Sequence, residues 1–245
     1  MTLEDYLEEG CVYHVVSIID LKKTLHEGIR YDDKNTYACK YTDFHSFFDL
    51  YKPKGIPDWV ERRKAIFASI GFKEGHKWHS HSAILRIRIL KDRCWICNEN
   101  LANFIYEPFI LQHMDGFEGT KEFMKANGKA FAGKYWQNSL SFNDNLIKRY
   151  DKREGYDAEV LVMHPIPPRN IECLYIVSDH RIMSYQAWKE YFTPGSPHAE
   201  VQYNRYLQPD NMSSAWKYPG RGSKRMSRAK YGLTPWRSRK PVSMM

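Results

Sequence analysis

No apolar run in this 245-residue chain approaches the roughly 18 residues that a membrane span requires. The first ten residues carry Glu4, Asp5, Glu8 and Glu9, the wrong sign for a signal or transit peptide. Cysteine is scarce, five in all, and an odd number does not describe a disulfide framework. The expectation is a soluble protein of a reducing cytoplasm with no membrane partner. There is no G-x-G-x-x-G after a strand, no G-x-x-x-x-G-K-[ST] and no G-x-S-x-G, which argues against Rossmann, P-loop and nucleophile-elbow enzymes. Acids are missing altogether from residues 211–245. Of 37 Lys+Arg and 29 Asp+Glu, nine bases and no acid fall there, leaving 28 bases against 29 acids in the body. The net charge of +8 is therefore an arm of +9 on a body of −1.

The arm interleaves its bases with Trp216, Tyr218, Tyr231 and Trp236 and is broken by Gly220, Gly222, Pro219, Pro235 and Pro241. Cationic groups that displace counterions, beside rings that stack on bases, suit a nucleic acid. The expected organisation is a folded domain of residues 1–210 followed by a basic aromatic arm of residues 211–245. Deleting the arm is expected to weaken nucleic-acid binding and flatten its salt dependence.

In the body, Cys11 to Val16 reads as a strand leading into a helix. Ser17 with Asp20 forms a capping-box start, Ile18, Leu21 and Leu25 share a face, and Gly28 provides a left-handed stop. Residues 31 to 58, polar, aromatic and interrupted by Pro53, Gly55 and Pro57, read as a long excursion, with a short helix from Asp58 through Arg63. Ala65 to Ser69 is extended. Ala83 to Leu90 alternates Leu85, Ile87 and Ile89 with Arg86 and Arg88, as a half-buried strand does, and the strand-like run continues to Cys97. Residues 112 to 157 read as mixed loop and helix. Glu159 to Met163 and Ile171 to Val177 are strands, the second apolar on both faces, and Tyr185 to Phe192 is helical. Dispersed strands with long insertions and few intervening helices predict an α+β fold.

One metal candidate stands out: His76, His79 and His81 upstream of Cys94-Trp-Ile-Cys97. If that C-x-x-C is extended, its thiols lie on opposite faces and cannot share an ion, so no metal is expected.

Other motifs gain weight from their order. Tyr13-His14-Val15-Val16-Ser17 comes first and Lys64-Ala65-Ile66-Phe67-Ala68-Ser69 second. Asp157-Ala158-Glu159-Val160-Leu161-Val162 follows, then Ile166-Pro167 and the strand from Ile171. This order resembles the His-Tyr-Glu branch of the ADP-ribosyltransferase superfamily, shared by poly(ADP-ribose) polymerases, RNA 2′-phosphotransferases and the DarT toxins that modify DNA. DarT-like toxins are the most similar. Tyr13, His14, Ser17, Ile19, Leu21 and Leu25 match their opening pattern with Asp20 at its polar position; Ala158 to Val162 match the closing one, and Tyr135-Trp136 resembles an upstream Tyr-Trp.

The resemblance implies a split β-sheet core with short helices and long loop insertions, and NAD+ as co-substrate. In that frame His14 hydrogen-bonds a ribose hydroxyl, with Val15, Ser17 and Ser69 beside the cofactor. Phe67 replaces the Tyr that stacks on nicotinamide, and Glu159 is the catalytic carboxylate. A second, basic group comes from the early part of such chains; Lys40, Arg62 and Arg63 are the candidates. The segment from His113 to Tyr156 is where relatives select their acceptor, which points to Tyr135, Trp136, Arg149 and Arg153.

The function so implied is ADP-ribosylation of DNA or RNA by a bacterial toxin or phage-defence effector, with an antitoxin protein as a further partner. Alternatives are a protein acceptor, NAD-dependent RNA 2′-phosphotransfer, or a non-catalytic nucleic-acid-binding protein with zinc on His79, His81, Cys94 and Cys97. His198-Ala199-Glu200-Val201 is a rival to the Glu159 motif, but no paired strand follows it.

Overall fold

Eight strands form one antiparallel sheet: β1 (Cys11–Ser17), β2 (Ile66–Ser69), β3 (Ser82–Arg88), β4 (Cys94–Asn98), β5 (Leu140–Ser141), β6 (Ala158–Val162), β7 (Ile171–Val177) and β8 (Ile182–Ser184). Their spatial order is β5-β4-β6-β2-β1-β3-β7-β8. The computed structural model describes residues 9–31, 38–71, 79–178 and 181–193, with the side chains of residues 38–40 outside that description. The arm of residues 211–245, the Glu200 motif and His76 lie outside the described residues. Helices and an antiparallel sheet together make the fold α+β.

Strand alternation divides the core into layers. Val12, Leu85, Ile87, Val160 and Val162 point to one face, where α1 (Ile18–Glu27) contributes Leu21 and a later helix, Phe142–Lys148, contributes Phe142. On the other face Leu161 and Met163 pack under three helices: α2 (Ala38–Leu50), α3 (Glu99–Leu111) and a short helix, Lys129–Gln137. Further helical segments between α3 and β8 are α4 (Glu118–Phe123), a π-helical segment Met124–Gly128, α5 (Lys129–Gln137), α6 (Phe142–Lys148) and 3-10 turns at Tyr150–Lys152 and Pro168–Asn170; α7 (Tyr185–Tyr191) closes the described chain. Tyr13, Ile84 and Val177 form a small separate cluster. Among the described residues no helix is long and apolar enough to cross a membrane.

The first helix starts and stops where its caps place it. The Ser17 hydroxyl accepts from the Ile19 amide at 3.4 Å, so Ser17 does cap, although its partner is Ile19. Gly28, at φ 85°, donates its amide to the Thr24 carbonyl at 3.0 Å. A methyl group added at Gly28 would lie 2.3 Å from the Ile166 carbonyl oxygen, so both the turn and the close approach require glycine.

Three sequence expectations need correction. The excursion of residues 31 to 58 contains α2, whose Phe44, Phe47 and Phe48, with Tyr51 just past its end, recur at helical spacing and pack into the core. The expected helix from Asp58 through Arg63 is a series of tight turns instead. The amides of Arg62 and Arg63, which such a helix needs for its own ladder, donate to the Asp49 carboxylate at 2.7 and 3.0 Å. The Lys52 ammonium donates to the carbonyls of Pro57, Asp58 and Val60 at 3.1, 3.3 and 2.8 Å. A lysine and an aspartate thus satisfy the backbone groups of the loop. Finally, a 3-10 turn at Lys91–Arg93 interrupts the run from Ala83 to Cys97, making β3 and β4 separate strands on opposite sides of the β6-β2-β1 group.

Candidate active site

Four central strands are in register at one rung. Cys97 pairs with Glu159, Glu159 with Ser69, and Ser69 with Tyr13, which joins β4, β6, β2 and β1. The pairing of β1 with β2 consists of that one bridge, and beyond it the two strands part. His14, the next residue on β1, fills the gap: its Nδ1 lies 2.6 Å from the Phe67 carbonyl oxygen. A carbonyl can only accept, so Nδ1 carries the proton and Nε2 keeps its lone pair. Burial lowers the His14 pKa, partly opposed by this hydrogen bond, so the ring is neutral at pH 7 and suited to accept from a hydroxyl.

Glu159 is 5% exposed, and both its oxygens are engaged. Arg62 Nη2 donates to Oε1 at 3.0 Å and to Oε2 at 3.1 Å. The Tyr135 hydroxyl donates to Oε1 at 2.6 Å and itself accepts from Arg62 Nε at 3.0 Å. Arg62 Nη1 contacts His45 Nδ1. Because guanidinium has no acceptor, that histidine nitrogen is the acceptor and its proton sits on Nε2.

The guanidinium is enclosed by four rings, with its carbon 4.8 Å from the centroid of Phe67, 5.1 Å from Phe48, 5.2 Å from Tyr135 and 5.7 Å from Phe44. Phe67 in turn stacks on His45, centroids 4.8 Å apart. Burial opposes the Arg62 charge most strongly, but the Glu159 carboxylate together with Tyr135 and Cys97 outweighs it and holds the pKa above its ordinary value. The surrounding groups respond to the same field. Burial, then the negative charges of Glu159 and Asp157, raise the Glu99 carboxyl to about 7. Burial pushes the Tyr135 hydroxyl and the Cys97 thiol well up.

The sequence-predicted residues fall into two groups. Glu159, Phe67 and Arg62 are in one constellation, and His14 joins it through the Phe67 backbone without touching Glu159. Ser69 lies on the rung between Tyr13 and Glu159. Val15 is exposed and Ser17 caps α1, both further along β1 beyond the bridge. Of the three basic candidates, Arg62 is the one bonded to Glu159. Arg63 pairs with Glu61 and the Lys40 side chain is outside the described residues.

The expected acceptor group is corrected in two places. Tyr135 is fully buried against Glu159, and Trp136 is buried with its indole N–H donating to the Phe48 carbonyl at 2.7 Å. Tyr135 and Trp136 share the inward side of α5 with Ala132, so neither ring offers a surface to an acceptor. Arg149 pairs with Asp151, and the Arg153 guanidinium lies over the Tyr150 ring, both in the turn that precedes β6. His45 belongs to α2, a helix that the polar, proline-broken stretch of residues 31 to 58 conceals. Its signal was its helical spacing, one turn ahead of Asp49 and beside Phe44 and Phe48.

Among the described residues the zinc alternative finds no assembled site. Cys94 is packed in the core on one face of the sheet and Cys97 in the core on the other, while His79 and His81 are exposed. No family model matches the chain, and no curated protein or solved structure matches it.

Proposed function

We propose that the chain is an NAD+-dependent ADP-ribosyltransferase that modifies a nucleic acid. The observation that carries this reading is the buried Glu159 carboxylate, held by Arg62 and Tyr135 beside the Phe67 ring, where the sheet parts at His14. In this reading Glu159 has the role that the resemblance implied, and Arg62, bonded to it, is the basic partner. In the reaction the bond between the ribose C1′ and the nicotinamide nitrogen breaks, and its electron pair leaves with nicotinamide. Positive charge develops on the ribose as that happens. A carboxylate fixed on the adjacent hydroxyl stabilises that charge, and it costs no reorganisation because Arg62 and Tyr135 already orient it. A nucleophilic atom of the acceptor then bonds to C1′ and loses its proton.

Neutral His14 supplies an acceptor for a second ribose hydroxyl, and Phe67, which the resemblance assigns to the nicotinamide ring, packs against His45 and the Arg62 guanidinium at the edge of the same site. The +9 arm of residues 211–245 provides long-range attraction for a polyanionic acceptor. The test is incubation of the full chain with labelled NAD+ and separate DNA, RNA and protein acceptors. Label is expected on nucleic acid with wild type and not with Glu159→Gln. Label on protein alone would replace the acceptor class. No transfer to anything, with Glu159→Gln indistinguishable from wild type, would overturn the reading.

A further inference from the structure

Three phenylalanines on the helical layer are in mutual contact at the surface. Phe104 of α3 and Phe131 of α5 stack at 26° with centroids 4.5 Å apart. Phe123, which ends α4, lies 6.3 Å from Phe104 and 6.5 Å from Phe131. Phe123 and Phe131 are half-buried on the core beneath, so they anchor the group; Phe104 is 56% exposed. A ring of that size left so open loses the stabilisation its burial would give, and here it lies flat on a fixed ring.

The segment that carries Phe123 and Phe131 is basic, while α3 and α4 add Glu107 and Glu118. Residues 121–134 contain Lys121, Lys125, Lys129 and Lys134 against the single acid Glu122. All four lysines are exposed, and none makes an ion pair among the described residues. Lys134 stands 5.6 Å over the Phe131 ring.

We propose that this platform binds single-stranded nucleic acid, an unpaired base stacking on Phe104 and the lysines following the phosphates. An exposed aromatic face beside uncompensated ammonium groups fits a ligand with flat bases and one anionic charge per residue. A duplex keeps its bases stacked on one another and cannot offer one to the ring. A partner helix would favour an apolar stripe without a row of unpaired cations. The same short helix α5 carries Phe131 and Lys134 outside and Tyr135, bonded to Glu159, inside. The proposal deepens the reading of nucleic acid as acceptor and rests on it, but its test needs no NAD+.

The experiment uses the full chain and fluorescein-labelled dT20, rU20 and a hairpin duplex, followed by photocrosslinking to 5-iodouracil versions of the two single strands. Crosslinks are expected in peptides containing Phe104 or Phe131. Phe104→Ala, a surface change, is expected to weaken single-strand binding about ten-fold or more with little effect on the hairpin. Replacing the four lysines by Gln is expected to lower the slope of log Kd against log salt by up to about 3. The dT20 and rU20 arms distinguish DNA from RNA.

Crosslinks confined to residues 211–245 would overturn the proposal, as would Phe104→Ala binding single strands like wild type. A Phe104→Ala variant that instead lost binding to phosphatidylserine vesicles, or dissociated a dimer, would assign the platform to that partner and refute this one. Platform crosslinks together with absent ADP-ribosyl transfer would refute the transferase reading and leave this one standing.

Discussion

Replacing Arg62 by Met should be among the most damaging single substitutions this chain can suffer, and the damage should be reversible by a second change. Arg62 is 4% exposed and Glu159 5%, so solvent screens neither. Their bonds, at 3.0 and 3.1 Å, compensate two desolvated charges at once. Removing the guanidinium leaves an anion in the core with the Tyr135 hydroxyl as its remaining donor. Breaking a buried pair on one side costs about 3–5 kcal/mol. With a urea slope of about 2–3 kcal/mol per M, the unfolding midpoint should fall by roughly 1–2.5 M. Adding Glu159→Gln removes the stranded charge while keeping an oxygen for Tyr135, so the double variant should unfold at a higher urea concentration than Arg62→Met alone. The assay is urea unfolding followed by tryptophan fluorescence on wild type, both single variants and the double. If Arg62→Met unfolds with wild type, or the double loses the sum of the two singles, the pair does not support the core as its geometry indicates.

Further outcomes concern protonation and backbone geometry. His14 and His164 are both held neutral by burial, and His164 accepts from the Leu90 amide through Nε2 at 2.9 Å. Their folded pKa values lie below the ordinary 6.5, so the unfolded chain binds more protons and stability is lost as pH falls below about 6.5. Urea midpoints between pH 7.5 and 5 should decline less steeply in a His14→Gln, His164→Gln variant; an unchanged slope would exclude these two groups. Glu99 has the opposite sign: raised to about 7, it binds more protons folded than unfolded, and its contribution is lost as pH rises from about 4.5 to 7. Glu99→Gln should therefore raise the midpoint at pH 8 and leave it unchanged at pH 4, measured in the same assay. Gly28→Ala should cost more than about 1 kcal/mol in thermal unfolding, since φ 85° and the Ile166 carbonyl at 2.3 Å both oppose a Cβ.

Much of the sheet was legible because its strands alternate or run apolar over a few residues. β1, β2, β6 and β7 fall within a residue or two of where Cys11, Ala65, Glu159 and Ile171 signal them. The helices fared unevenly. Ser17 and Gly28 punctuate α1 in the sequence, but α2 lacks a clear start, and its stripe of Phe44, Phe47 and Phe48 sits among polar residues. For α3 the signs were an Asn98 cap and buried Ala102, Ile105 and Phe109 at helical spacing, with exposed Phe104 and Ile110 blurring the stripe. Residues 58–63 show the reverse failure: local signals favour a helix, and a carboxylate thirteen residues away, Asp49, takes the amides that it would need.

By itself the sequence determined the α+β class and the separation of a +9 arm from a near-neutral body, and the order of its motifs singled out His14, Phe67 and Glu159 as candidates. Strand periodicity and charge are local properties, and one chain states them directly. Only the tertiary structure decided that Arg62, and not Arg63, meets Glu159, and that His45 meets Arg62. It also decided that Tyr135 faces inward while Phe104, Phe123 and Phe131 gather outside. Those pairings span up to 97 residues and depend on β2, β6, α2 and α5 meeting across the sheet. No spacing along a chain encodes which of two adjacent arginines a loop turns toward a buried carboxylate; the packing around Asp49 and Lys52 does.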